Sequence, residues 1–279
     1  MASQSDIFAQ ARLRQEQLLE QLAASPVVDV LGVVGPTGVS GGRSRGDQLW
    51  TLKLTLDAWR IQAAGLQTRP LTIRRTVADE DLARFRGLIT PYTVVRLRSR
   101  VLSDSPFGGP EALLEAFVSI DDSDEELNDY AIQLQKPVNH DDSVLGTFTL
   151  DRRVNWFVGS AVWNGNPVSL HLSAIEPAKI QAALRTAHSL WQTQNMWDKR
   201  VRDYAVQALL PLKNESWLAE DEVDVTADQF KGRMALESIT VHPDGSFEFW
   251  HNDGDLFWGH SIQISGCLSK GPTGADILG

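Results

Sequence analysis

The stretch from Leu236 to Ser265, LESITVHPDGSFEFWHNDGDLFWGHSIQIS, constrains the fold of this chain more than any other. It holds three short segments of alternating apolar and polar residues, separated by Asp-Gly dipeptides at 244–245 and 253–254. Asp-Gly is typical of tight hairpin turns, because both residues tolerate the positive φ angles that such turns require. Apolar side chains two positions apart, such as Phe247 and Phe249, share one face of a strand. The stretch therefore predicts an antiparallel β-meander with an aromatic core.

The residues before this stretch extend the same sheet. Residues 145–174 indicate three strands, and Asn164-Gly165 between the last two is a strong hairpin signal. We therefore predict a C-terminal α+β domain of antiparallel sheet plus helices over residues 145–268. The final residues, 269–279, carry weak order signals and predict a frayed tail.

Helices are predicted between the two groups of strands. Apolar residues recur at helical spacing from Pro177 to Trp191 and again over 198–210, where Pro211 is expected to end the second helix. A third, short helix is expected next, because Thr226 and Gln229 have the spacing of a capping box.

The first half of the chain predicts a helix followed by a β-rich domain. Residues 1–25 contain a modest apolar stripe at helical spacing. Strict alternation then recurs, most clearly in QLWTLKLTLD at 48–57, which places a tryptophan and three leucines on one face. Residues 111–120 fit a strand or a short helix equally well. These features predict a barrel-like β-rich domain over residues 26–140, and the polar, turn-rich segment 136–144 marks the domain boundary.

A glycine-rich segment, GPTGVSGGRSRG at residues 35–46, follows the strand predicted at 27–34. A phosphate-binding loop needs Gly-Lys-Ser/Thr at the start of a helix. Here Gly46 is followed by Asp47 and Gln48, and then by a predicted strand. We therefore predict a flexible hairpin loop at this place rather than a phosphate site.

Charge and cysteine content narrow the classes of function. The net charge of −10 disfavours generic binding to nucleic acid or to anionic membranes, because phosphate groups need a cationic surface. One cysteine, Cys267, permits no internal disulfide and fits a reducing cytoplasm. No apolar run approaches the ~20 residues of a membrane-spanning helix. The sequence predicts a cytoplasmic protein without a cofactor and leaves its oligomeric state open.

Three arginines, Arg96, Arg98 and Arg100, alternate along one predicted strand face. They would lie ~6.6–7 Å apart, which is close to the spacing of successive phosphates in a single strand. Single-strand nucleic-acid binding by the N-terminal β domain is therefore one hypothesis. The acidic segment 119–129 offers a competing explanation, since its carboxylates would pair with the same arginines. We favour a solvated, ion-paired face.

Metal binding is the chemical hypothesis that the meander itself raises. His251, Asp253, Asp255 and His260 offer suitable ligand atoms around the second Asp-Gly turn. His242 is excluded from that set, because the intervening strand separates it from His251 by ~17 Å. No compact motif such as HExxH supports the set, and aspartates in such turns usually bind their own backbone. We keep a metal-assisted hydrolytic site as an alternative and predict instead that the two histidines hold the turn by hydrogen bonds.

Aromatic packing is the favoured interpretation of the same stretch. Phe247, Phe249, Trp250, Phe257 and Trp258 are expected to pack the sheet onto the helices. Trp250 should face away from Phe249 by strand alternation, so one of these two is expected to be exposed as an anchor for a protein partner. The candidates for partner binding are Trp250 and Trp258. No paired nucleophile and base is recognisable, and no catalytic residue is predicted.

Three strings in the second half carry a family resemblance: LGTFTLDRRVNWFVGSAVWNG, LLPLKNESWL and FKGRMALESITVHPDGSFEFWHNDGDLFWGHSIQIS. In this order they resemble the bacterial domain of unknown function 2262, over residues 145–266. The resemblance implies a compact bacterial α+β domain and brings with it no activity, cofactor or catalytic residue. The N-terminal half is not placed by it.

These observations favour a non-enzymatic bacterial protein-binding or adaptor module, of which a toxin-neutralising immunity protein is one form. The acidic charge, the missing catalytic motifs and the two β-rich domains motivate this hypothesis. Two alternatives stay open: a metal-assisted hydrolytic enzyme at the His251–His260 turn, and single-strand nucleic-acid binding through Arg96, Arg98 and Arg100.

Overall fold

The structure, a computed structural model, describes residues 4–44, 46–62, 64–121 and 123–279. The chain divides into two compact units, Met1–Lys136 and Pro137–Gly279. The helices and strands of the first unit are α1 (Gln4–Ala24), β1 (Val27–Gly42), β2 (Trp50–Ile61), β3 (Leu71–Val77), α2 (Asp79–Leu88), β4 (Val94–Leu102), β5 (Glu111–Ile120) and α3 (Glu125–Gln135).

The first unit is a closed five-stranded barrel with the strand order β1-β2-β3-β5-β4. Neighbouring strands are antiparallel apart from β3 and β5, which pair in parallel. Leu52, Leu54 and Leu56 of β2 are fully buried, as the alternation in this segment predicts. The prediction of a barrel-like N-terminal domain is confirmed, and residues 111–120 are a strand.

The predicted glycine-rich hairpin loop is wrong over residues 35–42, because β1 continues through them. The register of β1 against β2 shifts between Val33 and Val39, which marks a bulge in a strand that bends around the barrel. A Cβ atom at Gly41 would lie 2.6 Å from the side chain of Leu82 on α2. The glycine at this position therefore permits close packing of α2 against the barrel wall.

The second unit is an eight-stranded sheet covered by helices. Its elements are β6 (Asn139–Asp142), β7 (Gly146–Asp151), β8 (Trp156–Trp163), β9 (Asn166–Leu172), α4 (Pro177–Trp191), α5 (Gln194–Ser216), α6 (Ala227–Arg233), β10 (Ala235–Val241), β11 (Ser246–Asn252), β12 (Ser261–Cys267) and β13 (Gly271–Leu278). The strand order is β13-β12-β11-β10-β9-β8-β7-β6. Because three helices connect β9 to β10, these two strands pair in parallel within an otherwise antiparallel sheet.

The core of this unit lies between the sheet and the helices. Phe247 and Phe249 of β11 and Ile262 and Ile264 of β12 are buried on the helix-covered face, as predicted. Asn164 and Gly165 have φ angles of 47° and 84° and close the β8–β9 hairpin. The predicted α+β class with an antiparallel sheet plus helices is confirmed.

Two local predictions in this unit are wrong. Helix α5 does not end at Pro211 but continues to Ser216, with the proline inside it. Residues 269–279 are not a frayed tail, since β13 pairs with β12 from Gly271 to Leu278 and forms one edge of the sheet. The predicted capping box is confirmed: Thr226 caps α6 with Gln229. No helix in the described part of the chain is long and apolar enough to cross a membrane.

Candidate functional site

The turn between β11 and β12 is organised by one buried carboxylate, that of Asp253. Its Oδ1 accepts a hydrogen bond from the backbone N–H of Asp255 at 3.2 Å. Its Oδ2 accepts from the backbone N–H groups of Phe257 at 2.6 Å and Gly259 at 3.2 Å. Asp253 is 1% exposed, so these backbone groups replace water around the carboxylate. Its role in the turn is structural.

This turn holds Trp258 in an uncommon backbone conformation. Trp258 has a φ angle of 59°, in the left-handed region that bulky residues rarely adopt. Its side chain is nevertheless 61% exposed, so burial of the ring does not offset the strain. A residue held in this region costs about 1–3 kcal/mol and persists only where its surroundings fix it. The bonds from Asp253 to the amides on both sides of Trp258 fix it here.

A second tryptophan, Trp217, supports the same turn from the end of α5. Its ring centroid lies 4.8 Å from that of Trp258, 5.5 Å from Phe257 and 5.4 Å from His260. We refer to Trp217, Trp258 and His260 as the aromatic surface. Trp217 and His260 are half-buried and Trp258 projects beyond them, so the aromatic surface has a fixed base and an exposed tip.

Trp217 is positioned by a buried lysine. Lys213 on α5 is fully buried, and its Nζ donates to the carbonyl oxygen of Trp217 at 2.6 Å and to Glu222 Oε2 at 2.5 Å. Glu222 also accepts from Arg233 at 3.1 Å. The hydrogen bond from Lys213, and after it the backbone N–H of Ala219, lowers the pKa of Glu222 from 4.5 to about 2. Glu222 is therefore charged at neutral pH.

Parts of two of the strings that carry the family resemblance come together at the β11–β12 turn. LKNESWL supplies Lys213 and Trp217, and DGDLFWGH supplies Trp258 and His260. Neither Lys213 nor Trp217 was predicted as a site residue from the sequence. A signal existed for the lysine, because it lies four residues after buried Leu209 on the same face of α5 and so falls at a core position.

His251 does not hold the turn, contrary to the prediction. It is fully buried, and neither of its ring nitrogens has a hydrogen-bond partner among the described residues. Burial, and after it the positive charge of Arg202, lowers the pKa of His251 from 6.5 to about 3. The backbone groups of Ile262 and Phe249 act in the opposite direction but too weakly and too far from ideal geometry to satisfy the ring nitrogens. His260 behaves as predicted, since its Nδ1 lies 2.6 Å from the carbonyl oxygen of Phe257.

The metal candidates are placed in different surroundings. His251 is in the core, Asp253 is occupied by backbone amides, Asp255 is exposed with a φ angle of 63°, and His260 lies against Trp217. Across residues 4–44, 46–62, 64–121 and 123–279, no group of three His, Cys, Asp or Glu side chains is arranged to hold a metal ion. His242 lies 3.5 Å from Glu248.

Trp250 is half-buried on the opposite side of β11 from Phe249. Its Nε1 donates to Glu248 Oε2 at 3.0 Å, so its polar group is already engaged within the chain. The prediction that Trp258 packs the sheet onto the helices is wrong, because Trp258 is 61% exposed.

The row of arginines on β4 is largely paired with acidic groups. Arg96 donates to Asp121 at 2.7 Å, and Arg100 donates to Glu115 at 2.6 Å. Hydrogen bonds from Ser123 and then from Arg96 lower the pKa of Asp121 to about 2. Arg98 lies 3.8 Å from Asp29 and keeps 63% of its side chain exposed. The arrangement matches the ion-paired face favoured from the sequence.

Comparison with known families agrees with this division into two units. Residues 142–277 match the family described as "Uncharacterized protein conserved in bacteria (DUF2262)", which confirms the resemblance inferred from the sequence. Residues 15–134 match the family described as "Domain of unknown function (DUF7021)". Neither the curated proteins nor the solved structures contain a match to the chain. The C-terminal half is thus similar to an uncharacterized family conserved in bacteria, and the N-terminal half to a second domain family of unknown function.

Proposed function

We propose that this chain is a non-enzymatic adaptor or immunity-type protein, and that its C-terminal unit binds a protein partner through the aromatic surface. The observation that carries this proposal is the exposed Trp258, held at a φ angle of 59° by the buried carboxylate of Asp253. Tryptophan is enriched among residues that dominate binding energy. Strained residues that the surrounding structure holds in place cluster at functional sites.

The loop that follows Trp217 supports a partner with a basic surface. Glu220, Asp221 and Asp224 are exposed and form no ion pair with any residue that the structure describes. Val223 in the same loop is 80% exposed. An apolar anchor beside uncompensated negative charge suits a partner that combines a cationic surface with an apolar pocket. The single cysteine, Cys267, supports a cytoplasmic location as part of this proposal.

The proposal is tested by comparing capture on immobilised wild-type chain and two variants in extract of the native host. We expect at least one basic protein to bind the wild type in near-stoichiometric amount and to be lost with Trp258→Ala. The matched control is Val154→Ala, which also removes an exposed apolar side chain from the same unit. Capture should weaken as salt is raised, because exposed charges are screened. A set of captured proteins that does not depend on Trp258 contradicts the proposal.

The two alternatives stay predictions with their own tests. A metal-assisted hydrolytic enzyme at the His251–His260 turn requires a stoichiometric metal ion in the purified protein and its loss with His260→Ala. Single-strand nucleic-acid binding by the N-terminal unit requires salt-dependent affinity for oligonucleotides that falls with Arg98→Ala.

A further inference from the structure

A cleft of about 460 Å³ opens in the second unit between the first residues of β9 and β10. This volume is within the range of sites that bind small molecules. Trp163, Asn166 and Leu236 line it together with two charged side chains of α5, Asp198 and Arg202. The cleft shares no residue with the aromatic surface and is distinct from it.

The cleft exists because β9 and β10 do not pair over the first residues of either strand. Their register begins at Ser169 and Ser238, although the strands begin at Asn166 and Ala235. Pro167 has no backbone N–H and so cannot extend the ladder toward the start of β9. On β10, the register against β11 shifts between Leu236 and Ser238. The two strands therefore diverge ahead of the first paired residues and leave the space open.

Arg202 is held rigidly at the side of this space. Its Nε donates to Asp198 Oδ2 at 2.9 Å, and its Nη1 donates to the carbonyl oxygens of Lys231 at 2.7 Å and Met234 at 2.9 Å. Its Nη2 makes no hydrogen bond to any residue in the described ranges. The guanidinium thus keeps one free donor group in a fixed orientation.

Asp198 supplies an acceptor beside that donor. Its Oδ1 accepts only a long hydrogen bond, 3.4 Å, from Trp163 Nε1, and the carboxylate keeps unused acceptor sites. Arg202 and Asp198 together carry no net charge. A ligand carboxylate would be repelled by Asp198, and a ligand ammonium by Arg202. The pair favours an uncharged ligand that accepts one hydrogen bond and donates another.

A neighbour of the cleft on β11, which does not line it, is also uncharged. His251 is the register partner of Leu236 on β11, is fully buried, and has no hydrogen-bond partner for its ring nitrogens within the described part of the chain. The charge of Arg202 acts on it and, with burial, keeps it neutral. Trp163, Met234 and Leu236 add apolar contact area.

We propose that this cleft binds a small uncharged molecule that presents a carbonyl group beside an N–H group on one edge, with the carbonyl oxygen on Arg202 Nη2 and the N–H on Asp198. Two sources offer this edge: the lactam of a nucleobase and a primary carboxamide such as the side chain of glutamine. The inference does not depend on the protein-binding role proposed for Trp258.

The test titrates the full chain with uracil and with N-acetylglutamine methylamide, followed by NMR shifts of the Trp163 indole and the His251 ring. At least one probe should bind saturably below about 10 mM, a tenfold excess over a millimolar dissociation constant. The probe that binds identifies the source of the edge. 1,3-Dimethyluracil keeps the carbonyl groups without an N–H and should bind at least about tenfold more weakly than uracil. Failure of both probes to bind, or unchanged binding of the dimethylated base where uracil binds, overturns the proposal.

Two variants link binding to these residues. Asp198→Asn keeps a single acceptor oxygen, which Arg202 Nε engages, and turns the amide NH2 toward the ligand's own N–H. The dissociation constant should rise at least about tenfold. Asp203→Asn is the matched control, because Asp203 is on the same helix and pairs with Lys199 and Lys231. Leu236→Trp fills the cleft without touching the ion pair and should abolish binding. Wild-type affinity in either cleft variant contradicts the assigned site.

Discussion

Asp253 Oδ2 accepts the backbone N–H of Phe257 at 2.6 Å, and this bond sets the position of the next residue, Trp258. Phe257 is fully buried, whereas Trp258 is 61% exposed. One carboxylate thus directs two adjacent aromatic side chains to opposite environments: Phe257 to the core and Trp258 to the surface. The carboxylate of Asp253 therefore both stabilises the turn and positions Trp258 in the aromatic surface.

Asp253→Ala is expected to lower the free energy of unfolding by about 3 kcal/mol, because three backbone amides, one of them buried, lose their carboxylate acceptor. Urea denaturation measures the change. Asp255→Asn is the control, since Asp255 is exposed and asparagine tolerates its φ angle of 63°. It should change stability by less than about 0.5 kcal/mol. A loss below about 1 kcal/mol for Asp253→Ala contradicts the assigned role of the carboxylate.

Glu222 makes part of the stability of the second unit depend on pH. Its pKa is about 2 in the folded chain and 4.5 as the ordinary value. Between these values the unfolded chain binds more protons than the folded one, so stability is full above pH 4.5 and falls as pH decreases toward about 2. Glu222→Gln should flatten this part of the pH profile, measured by denaturation from pH 7 downward.

The same variant tests the buried lysine at neutral pH. Glu222→Gln leaves the buried Lys213 without its carboxylate partner, so we expect a loss of about 3–5 kcal/mol at pH 7. Glu220→Gln, in the same loop and exposed, is the control and should leave stability nearly unchanged. Equal acid sensitivity of wild type and Glu222→Gln argues against the pair.

The elements that sequence predicts well are those whose cause is local. The Asn164-Gly165 turn and the Thr226–Gln229 capping box involve residues three or fewer positions apart, and both form. Pro211 was predicted to end α5, but contacts distant in sequence hold the helix beyond it. Asn214, for example, exchanges two hydrogen bonds with the backbone of Val225. Such contacts leave no local pattern.

Glycines near the C-terminus show the same limit. Residues 269–279 were predicted to be frayed because they carry weak order signals, yet their glycines permit close packing in β13. A Cβ atom at Gly271 would lie 2.5 Å from Arg200, and one at Gly274 would lie 2.5 Å from Ser265. In the candidate site, Asp253 binds its own backbone, as is usual for aspartates in such turns. The role expected of His251 fails because of its burial, which the sequence does not reveal.

Strand β13 should therefore contribute to stability. Ile277 packs against the core of the second unit, whereas Leu278 beside it is exposed. Ile277→Ala is expected to lower the free energy of unfolding by about 2 kcal/mol, and Leu278→Ala by less than about 1 kcal/mol. Denaturation of the two variants side by side gives the comparison. Equal effects indicate that the strand does not pack on the core.

Replacement of His251 is expected to stabilise the protein, whereas the other substitutions, apart from the controls, are expected to destabilise it. A buried imidazole without hydrogen bonds costs about 1–3 kcal/mol relative to an apolar group that fits the same space. His251→Leu is therefore expected to raise the free energy of unfolding at pH 7 by about 1 kcal/mol, as urea denaturation would measure. His188→Leu is the contrasting control, because His188 lies 2.9 Å from Asp142 Oδ2 and its loss should destabilise.

The advantage of the leucine variant should grow in acid. The pKa of His251 is about 3 in the folded chain, against 6.5 as the ordinary value. Between these values only the unfolded chain takes up the proton, so the wild type loses stability as pH falls from 6.5 toward 3. The variant lacks this loss, and the difference between the two proteins widens over that range. A constant difference across it would show that the imidazole has found a partner in the folded protein, and a destabilised variant at pH 7 would show that this partner matters.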